Sequence, residues 1–197
     1  MMMRAPSIVC RRFVASKRGV AAVEFAIVMP VLLIMFLASF DAGNAIALYM
    51  KVRSATFTLA AVTNQYGTGG NAISATDMTA ITGATSAVLS PFSNTPTVIV
   101  ISQIKATSAT NAVVSWSYTV NGSALTPGAP YNSLPTNFAS NSCGGSYPCY
   151  AILATVSYSY TPVFGAFLTG PINFTDSLYV TPRSAVCIQY NSVPSSC

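Results

Sequence analysis

Glu24 is the only ionisable side chain in the 21-residue run from Val20 to Phe40. A charge at the centre of a membrane helix costs about 2.5–3.5 kcal/mol, and less near an end, so such a carboxylate snorkels, takes up a proton or meets a cation. The sequence offers a cation. Lys17-Arg18-Gly19 immediately precede the run, and a cut after Gly19 would create an α-ammonium on Val20. That amine would stand four residues, about one helical turn, before Glu24. The chemistry open to these residues is neutralisation of an amine by a carboxylate, within one chain or between neighbouring chains.

The other reactive residues point to structure rather than catalysis. The chain has no histidine, which removes Ser-His-Asp and Cys-His nucleophile systems. Beyond Asp41 the only acids are Asp77 and Asp176, far apart in sequence, and Lys105 and Arg183 read as solvated charges. Gly67-Thr68-Gly69-Gly70 lacks the Lys-Ser/Thr that a phosphate loop needs. No enzyme activity, cofactor or small-molecule ligand is expected. Cys10 falls in the basic leader, leaving Cys143, Cys149, Cys187 and Cys197. Four cysteines allow three pairings in an oxidising compartment. The local one, Cys143–Cys149 and Cys187–Cys197, is preferred over the crossed alternatives. A zinc site is disfavoured, because there is neither a CxxC spacing nor a histidine.

Charge sets topology. Of nine basic residues, Arg4, Arg11, Arg12, Lys17 and Arg18 precede Gly19; the remaining four balance the four acids. The body is neutral, so no basic stripe is available for nucleic acid. Val20–Phe40 spans about 30 Å as a helix, the thickness of a hydrocarbon core. The positive-inside rule leaves the amino terminus cytoplasmic and carries the chain beyond Asp41 across the membrane. Asp41 closes the run and is read as a solvated acid at the far interface. The rival is a cleavable secretory signal cut near Ala45, but an h-region is about 7–15 residues and this run is longer and holds a carboxylate.

The helix is expected to outlast the membrane. Ala45/Ile46, Tyr49, Val52, Thr56, Leu59/Ala60 and Thr63 recur at three- and four-residue steps, predicting one helix from Val20 to Gln65 with a kink at Pro30. Gly69-Gly70 supply a stop. Weaker helical spacing marks Thr76–Leu89. Four strands follow: Thr97–Ile104; Val113–Val120, with Val114, Trp116, Tyr118 and Val120 on one side and Asn121-Gly122 as its turn; Ile152–Tyr160; and Leu178–Val180 extending into Ala185–Ile188. Alternating faces imply one antiparallel sheet whose apolar side needs a cover, and residues 42–65 of the helix are the natural one. Tyr118, Tyr131, Tyr147, Tyr150, Tyr158 and Tyr160 divide between this core and contact surfaces.

The segment Lys17-Arg18-Gly19-Val20-Ala21-Ala22-Val23-Glu24-Phe25 resembles a type IV prepilin leader. More narrowly, RGVAAVEFAIVMPVLLIMFLASFDAGNAIALY is similar to the start of TadE- and TadF-like minor pseudopilins of the bacterial tight-adherence (Tad or Flp) pilus. Shorter likenesses fall at 156–162 and 181–184. The resemblance implies cleavage by a prepilin peptidase between Gly19 and Val20, and an assembly role for Glu24. It implies a pilin-like α+β fold, with a long amino-terminal helix packed on a small antiparallel sheet. It also implies an inner-membrane subunit whose partners are the bilayer, other pilin subunits and the assembly machinery. The expected organisation is a leader at 1–19, a membrane and amphipathic helix at 20–66, a Gly/Ser/Thr-rich connector at 67–96 and an exported β-rich region at 97–197. A membrane-anchored or secreted adhesin outside any filament is the second expectation.

Overall fold

The computed structural model describes residues 18–66, 72–135, 138, 146–165, 170–183, 186–191 and 197. Its first element, α1, is a helix of 46 residues, Arg18–Thr63, unbroken through Pro30; at 1.5 Å per residue it is about 70 Å long. The two halves of α1 differ in burial. From Val20 to Phe36 its large side chains are exposed, Phe25 at 65% and Ile34 at 62%. From Asp41 onward one face is covered: Leu48, Val52, Ala55, Thr56 and Leu59 are all fully buried. The steps of three and four follow from 3.6 residues per turn. The centre of the face differs from the sequence reading. Leu48 points inward, whereas Ile46 is 57% and Tyr49 45% exposed. Tyr49 leans on the edge of the sheet, its ring 6.1 Å from that of Phe174.

A second helix, α2 (Ala75–Val88), lies within the expected connector and packs on α1. Ser74 and Asp77 form a capping box: the Ser74 hydroxyl accepts from the Asp77 backbone N–H at 3.1 Å, and the Asp77 carboxylate accepts from the Ser74 N–H at 2.9 Å. These bonds answer two of the orphan donors at a helix start. At the other end the Lys51 ammonium donates to the Ser90 carbonyl at 2.5 Å, placing a cation where the helix dipole is negative. The Ser74 hydroxyl and backbone bonds hold the Asp77 carboxyl below its ordinary range. A depressed carboxyl contributes stability above the unfolded-state pKa of about 3.9, lost as pH falls through the folded value. Acid titration of wild type against Asp77→Asn is therefore expected to show the two stabilities converging below about pH 4; parallel curves would contradict the assignment.

Four strands, β1 (Thr97–Ala106), β2 (Ala112–Val120), β3 (Cys149–Tyr160) and β4 (Ile172–Val180), form one sheet in the order β2-β1-β3-β4. All three pairings are antiparallel. Ile99, Ile101, Trp116, Ile152, Ala154 and Val156 meet α1 and α2 in the main core. A smaller cluster occupies the opposite face, where Ile104, Val114 and Leu153 are packed by Leu125, Tyr131 and Leu134 from the crossover between β2 and β3.

That second cluster corrects the expected face of β2. Gln103 pairs with Trp116 but Ile104 pairs with Val114, so Ser115 is an extra residue in β2. A bulge of this kind breaks the period of two, and Val114 turns away from Trp116, Tyr118 and Val120. At the end of β2, Asn121 adopts φ 58°. Gly122 follows where an added Cβ would stand 2.5 Å from a Val98 methyl carbon, so the turn needs glycine for space.

The fourth strand begins earlier than expected and does not continue to Ile188. Its register runs from Ile172 opposite Tyr160 to Val180 opposite Ile152. Residues 184–185 lie outside the described residues, and Ile188 is not in a strand. Ile188 instead plugs the core fully buried, donating its N–H to Gln103 Oε1 at 2.8 Å and accepting from Trp116 Nε1 at 2.8 Å. The tail then pairs with the approach to α2, Ile73 donating to Gln189 O at 2.8 Å.

The Cys187–Cys197 disulfide, with Cα atoms 5.8 Å apart, closes that tail. Cys149 is also disulfide-bonded, while Cys143 lies outside the described residues. A loop of this length restricts the unfolded chain by about 2–3 kcal/mol. Cys187→Ser combined with Cys197→Ser is expected to lower stability by that amount in thermal unfolding followed by Trp116 fluorescence. An unchanged midpoint would show that the tail is held by its hydrogen bonds alone.

Candidate functional site

The residues singled out for processing and assembly lie together on the first turns of α1. Gly19, Val20 and Glu24 are all exposed, and Glu24 follows Val20 by about one turn, or 6 Å along the axis. A Cβ on Gly19 would meet nothing within 4 Å, and glycine inside a helix is less favourable than alanine by about 0.5–1 kcal/mol. Among the described residues nothing in the packing asks for glycine here, as nothing does at Gly43 or Gly83.

The most apolar 18-residue window of α1 has a mean hydropathy of 2.6, and none of it is buried inside the protein. A helix serving as the core of a water-soluble domain would be covered by its own chain. This one is a candidate single membrane span, matching the thickness of a bilayer core.

The span joins the sheet domain through Asp41, which the sequence reading placed in solvent. It is only 7% exposed. Its carboxylate accepts three backbone hydrogen bonds from the segment after β3: from Val163 at 3.1 Å, Phe164 at 2.8 Å and Gly165 at 2.7 Å. Three successive N–H groups converging on one carboxylate form a small anion nest. The Phe164 ring stands edge-on to Phe40 at 5.9 Å. Beside this joint a cavity of about 220 Å³ opens between Ala38, Ala42 and Ala45 of α1 and Tyr160, Pro162 and Ile172 of the sheet domain. Among the described residues the buried Tyr160 hydroxyl has no hydrogen-bond partner; burial, then the nearby Asp41 charge, push its pKa up. No local signal marked Asp41 for this role, because its partners lie 122 to 124 residues away in sequence.

The remaining charged candidates are placed separately. Asp77 caps α2, Asp176 sits on edge strand β4 opposite Val156, and the Lys105 ammonium lies 5.8 Å from the centre of the Tyr150 ring. The Arg183 backbone N–H donates to Asn64 at 2.9 Å, tying the end of α1 to the chain after β4. Among the tyrosines, Tyr158 and Tyr160 fill the main core. Tyr131 and Tyr179 pair through their hydroxyls at 2.6 Å on the opposite face, where burial and then that bond push the Tyr179 pKa upward.

A long apolar amino-terminal helix, packed by its second half on a four-stranded antiparallel sheet and closed by a carboxyl-terminal disulfide, is the pilin-like α+β class. Residues 19–60 match the family model described as TadE-like protein. The matched segment holds Gly19, Glu24 and Asp41 but none of the sheet. Comparisons with curated proteins and with solved structures return no match.

Proposed function

We propose that this protein is a minor pseudopilin-like structural and assembly subunit of a bacterial tight-adherence pilus. Before assembly, residues 20–40 hold it in the inner membrane, with the amino terminus cytoplasmic and the sheet domain on the far side. A prepilin peptidase removes the leader between Gly19 and Val20. Glu24 then neutralises the new Val20 amine, which lowers the cost of moving the helix from lipid into a bundle with other pilin subunits. The protein's work is packing and docking, not catalysis. One observation carries the reading: an exposed apolar helix, TadE-like in sequence, places a lone carboxylate one turn beyond a glycine that folding does not require.

The secreted form of the adhesin alternative needs a signal-peptidase cut near Ala45. Such a cut would discard Asp41 and release the segment it anchors, so the continuous α1 favours retention of the helix. The proposal is tested by deleting the gene in a producing strain and counting surface filaments. Loss of filaments, restored by the wild-type chain, is the expected result; wild-type filament numbers without the chain would contradict it.

A further inference from the structure

The segment that Asp41 holds carries two exposed apolar side chains, Val163 at 66% and Phe164 at 47%. Their position along α1 is fixed: the backbone N–H groups of 163 to 165 bind Asp41, and the Phe164 ring touches Phe40, the last residue of the apolar run. Where residues 20–40 span the bilayer, these two side chains stand at the level where the helix leaves it. The adjoining cavity is lined by Ala38, itself within the run, and by Pro162 and Ile172. It is therefore continuous with the lipid-facing surface.

We propose that Val163 and Phe164 form a second membrane contact, inserted into the boundary between headgroups and acyl chains of the bilayer that α1 spans. The occupant of this surface is lipid, because its exposed side chains are apolar and contiguous with an exposed apolar helix, and the one charge beside it, Asp41, is buried under three backbone N–H groups. Phe, like Trp and Leu, is a side chain that interfacial segments bury at the boundary between headgroups and acyl chains. Asp41 meets the backbone polarity of the segment, so that its side chains enter the boundary without carrying unpaired N–H groups with them. A domain attached through both a helix and this segment has its height and tilt above the membrane set before assembly. The inference rests on the membrane-anchor reading above.

The full-length protein, reconstituted in phosphatidylethanolamine/phosphatidylglycerol vesicles, permits a direct test. Trp116 is the single native tryptophan and is fully buried in the sheet domain, so wild type provides the unquenched baseline. Phe164→Trp, with Val163→Trp as an independent repeat, is compared with Phe57→Trp, an exposed position about 24 Å further along α1. Lipids brominated high on the acyl chain are expected to quench the added tryptophan at 163 or 164 at least twofold, and the one at 57 no more than wild type. Flotation with the vesicles but equal quenching at 164, 163 and 57 would overturn this contact while leaving the anchor intact. Failure to float with the vesicles would overturn the anchor and the contact together.

Discussion

Asp41→Ala is expected to destabilise the folded chain by about 3 kcal/mol and to open the segment 163–165 to protease. Hydrogen bonds to a charged acceptor contribute about 1.5–3 kcal/mol each, and losing the acceptor strands the donors. Three such bonds end on this carboxylate. The simple sum is reduced because bonds sharing one acceptor are not additive and because Val163 and Phe164 lie partly in reach of solvent. Asp41→Asn separates charge from shape. An amide oxygen in the place of Oδ2 keeps the bonds from Phe164 and Gly165, while the amide NH₂ faces the Val163 N–H as donor against donor. An intermediate loss is therefore expected. Urea unfolding in detergent, read through buried Trp116, gives the order wild type, Asp41→Asn, Asp41→Ala; equal midpoints would show that the joint does not depend on the carboxylate.

Glu24→Ala is expected to leave leader removal largely intact while reducing incorporation into filaments more than tenfold. The change falls on an exposed helix position, and alanine is a better helix former than glutamate, so folding is not the affected step. On the proposed function, what disappears is the counter-charge for the Val20 amine. An uncompensated charge between packed helices carries a large desolvation cost, and removing one partner of a buried pair costs about 3–5 kcal/mol. A tenfold change in an equilibrium needs only about 1.4 kcal/mol, which sets the scale of the effect. Immunoblots of membrane and sheared-filament fractions separate processing from assembly. Normal piliation by Glu24→Ala would remove the assembly role from this carboxylate.

The long apolar helix, its amphipathic continuation and three of the strands were legible because each rests on local pattern. An apolar run of membrane length with a single acid, a 3.6-residue period and β-branched alternation act within a few turns of chain. The errors fall where distant contacts decide. Tyr49 flanks the core side of α1 and Ile46 lies on the opposite side, because the sheet meets α1 along Leu48, and Tyr49 is left to cover Phe174 at the edge. Val114 followed the alternation of Trp116 and Tyr118 on paper, whereas the extra Ser115 reverses it in the sheet. The start of β4 was hidden because Asn173 and Asp176 are poor strand formers, yet an edge strand accepts a charged residue and is protected by it from pairing further. Ile188 resembled a strand residue and became a core plug instead, held by Gln103 and Trp116 from two other strands.

The site divides in the same way. Gly19, Val20 and Glu24 stood out as candidates because the reading of them depends only on spacing along one helix. Asp41 does not, because an acid ending an apolar run looks solvated until the segment 163–165 is brought to it. The Cys187–Cys197 pairing agrees with the local expectation, and Cys143 falls outside the described residues.

The amino terminus of the mature chain tests the central claim most directly. Protein extracted from the membranes of cells with an active prepilin peptidase should begin at Val20, by terminal sequencing and by intact mass. A chain that still carries residues 1–19, or one that begins near Ala45, would contradict the account.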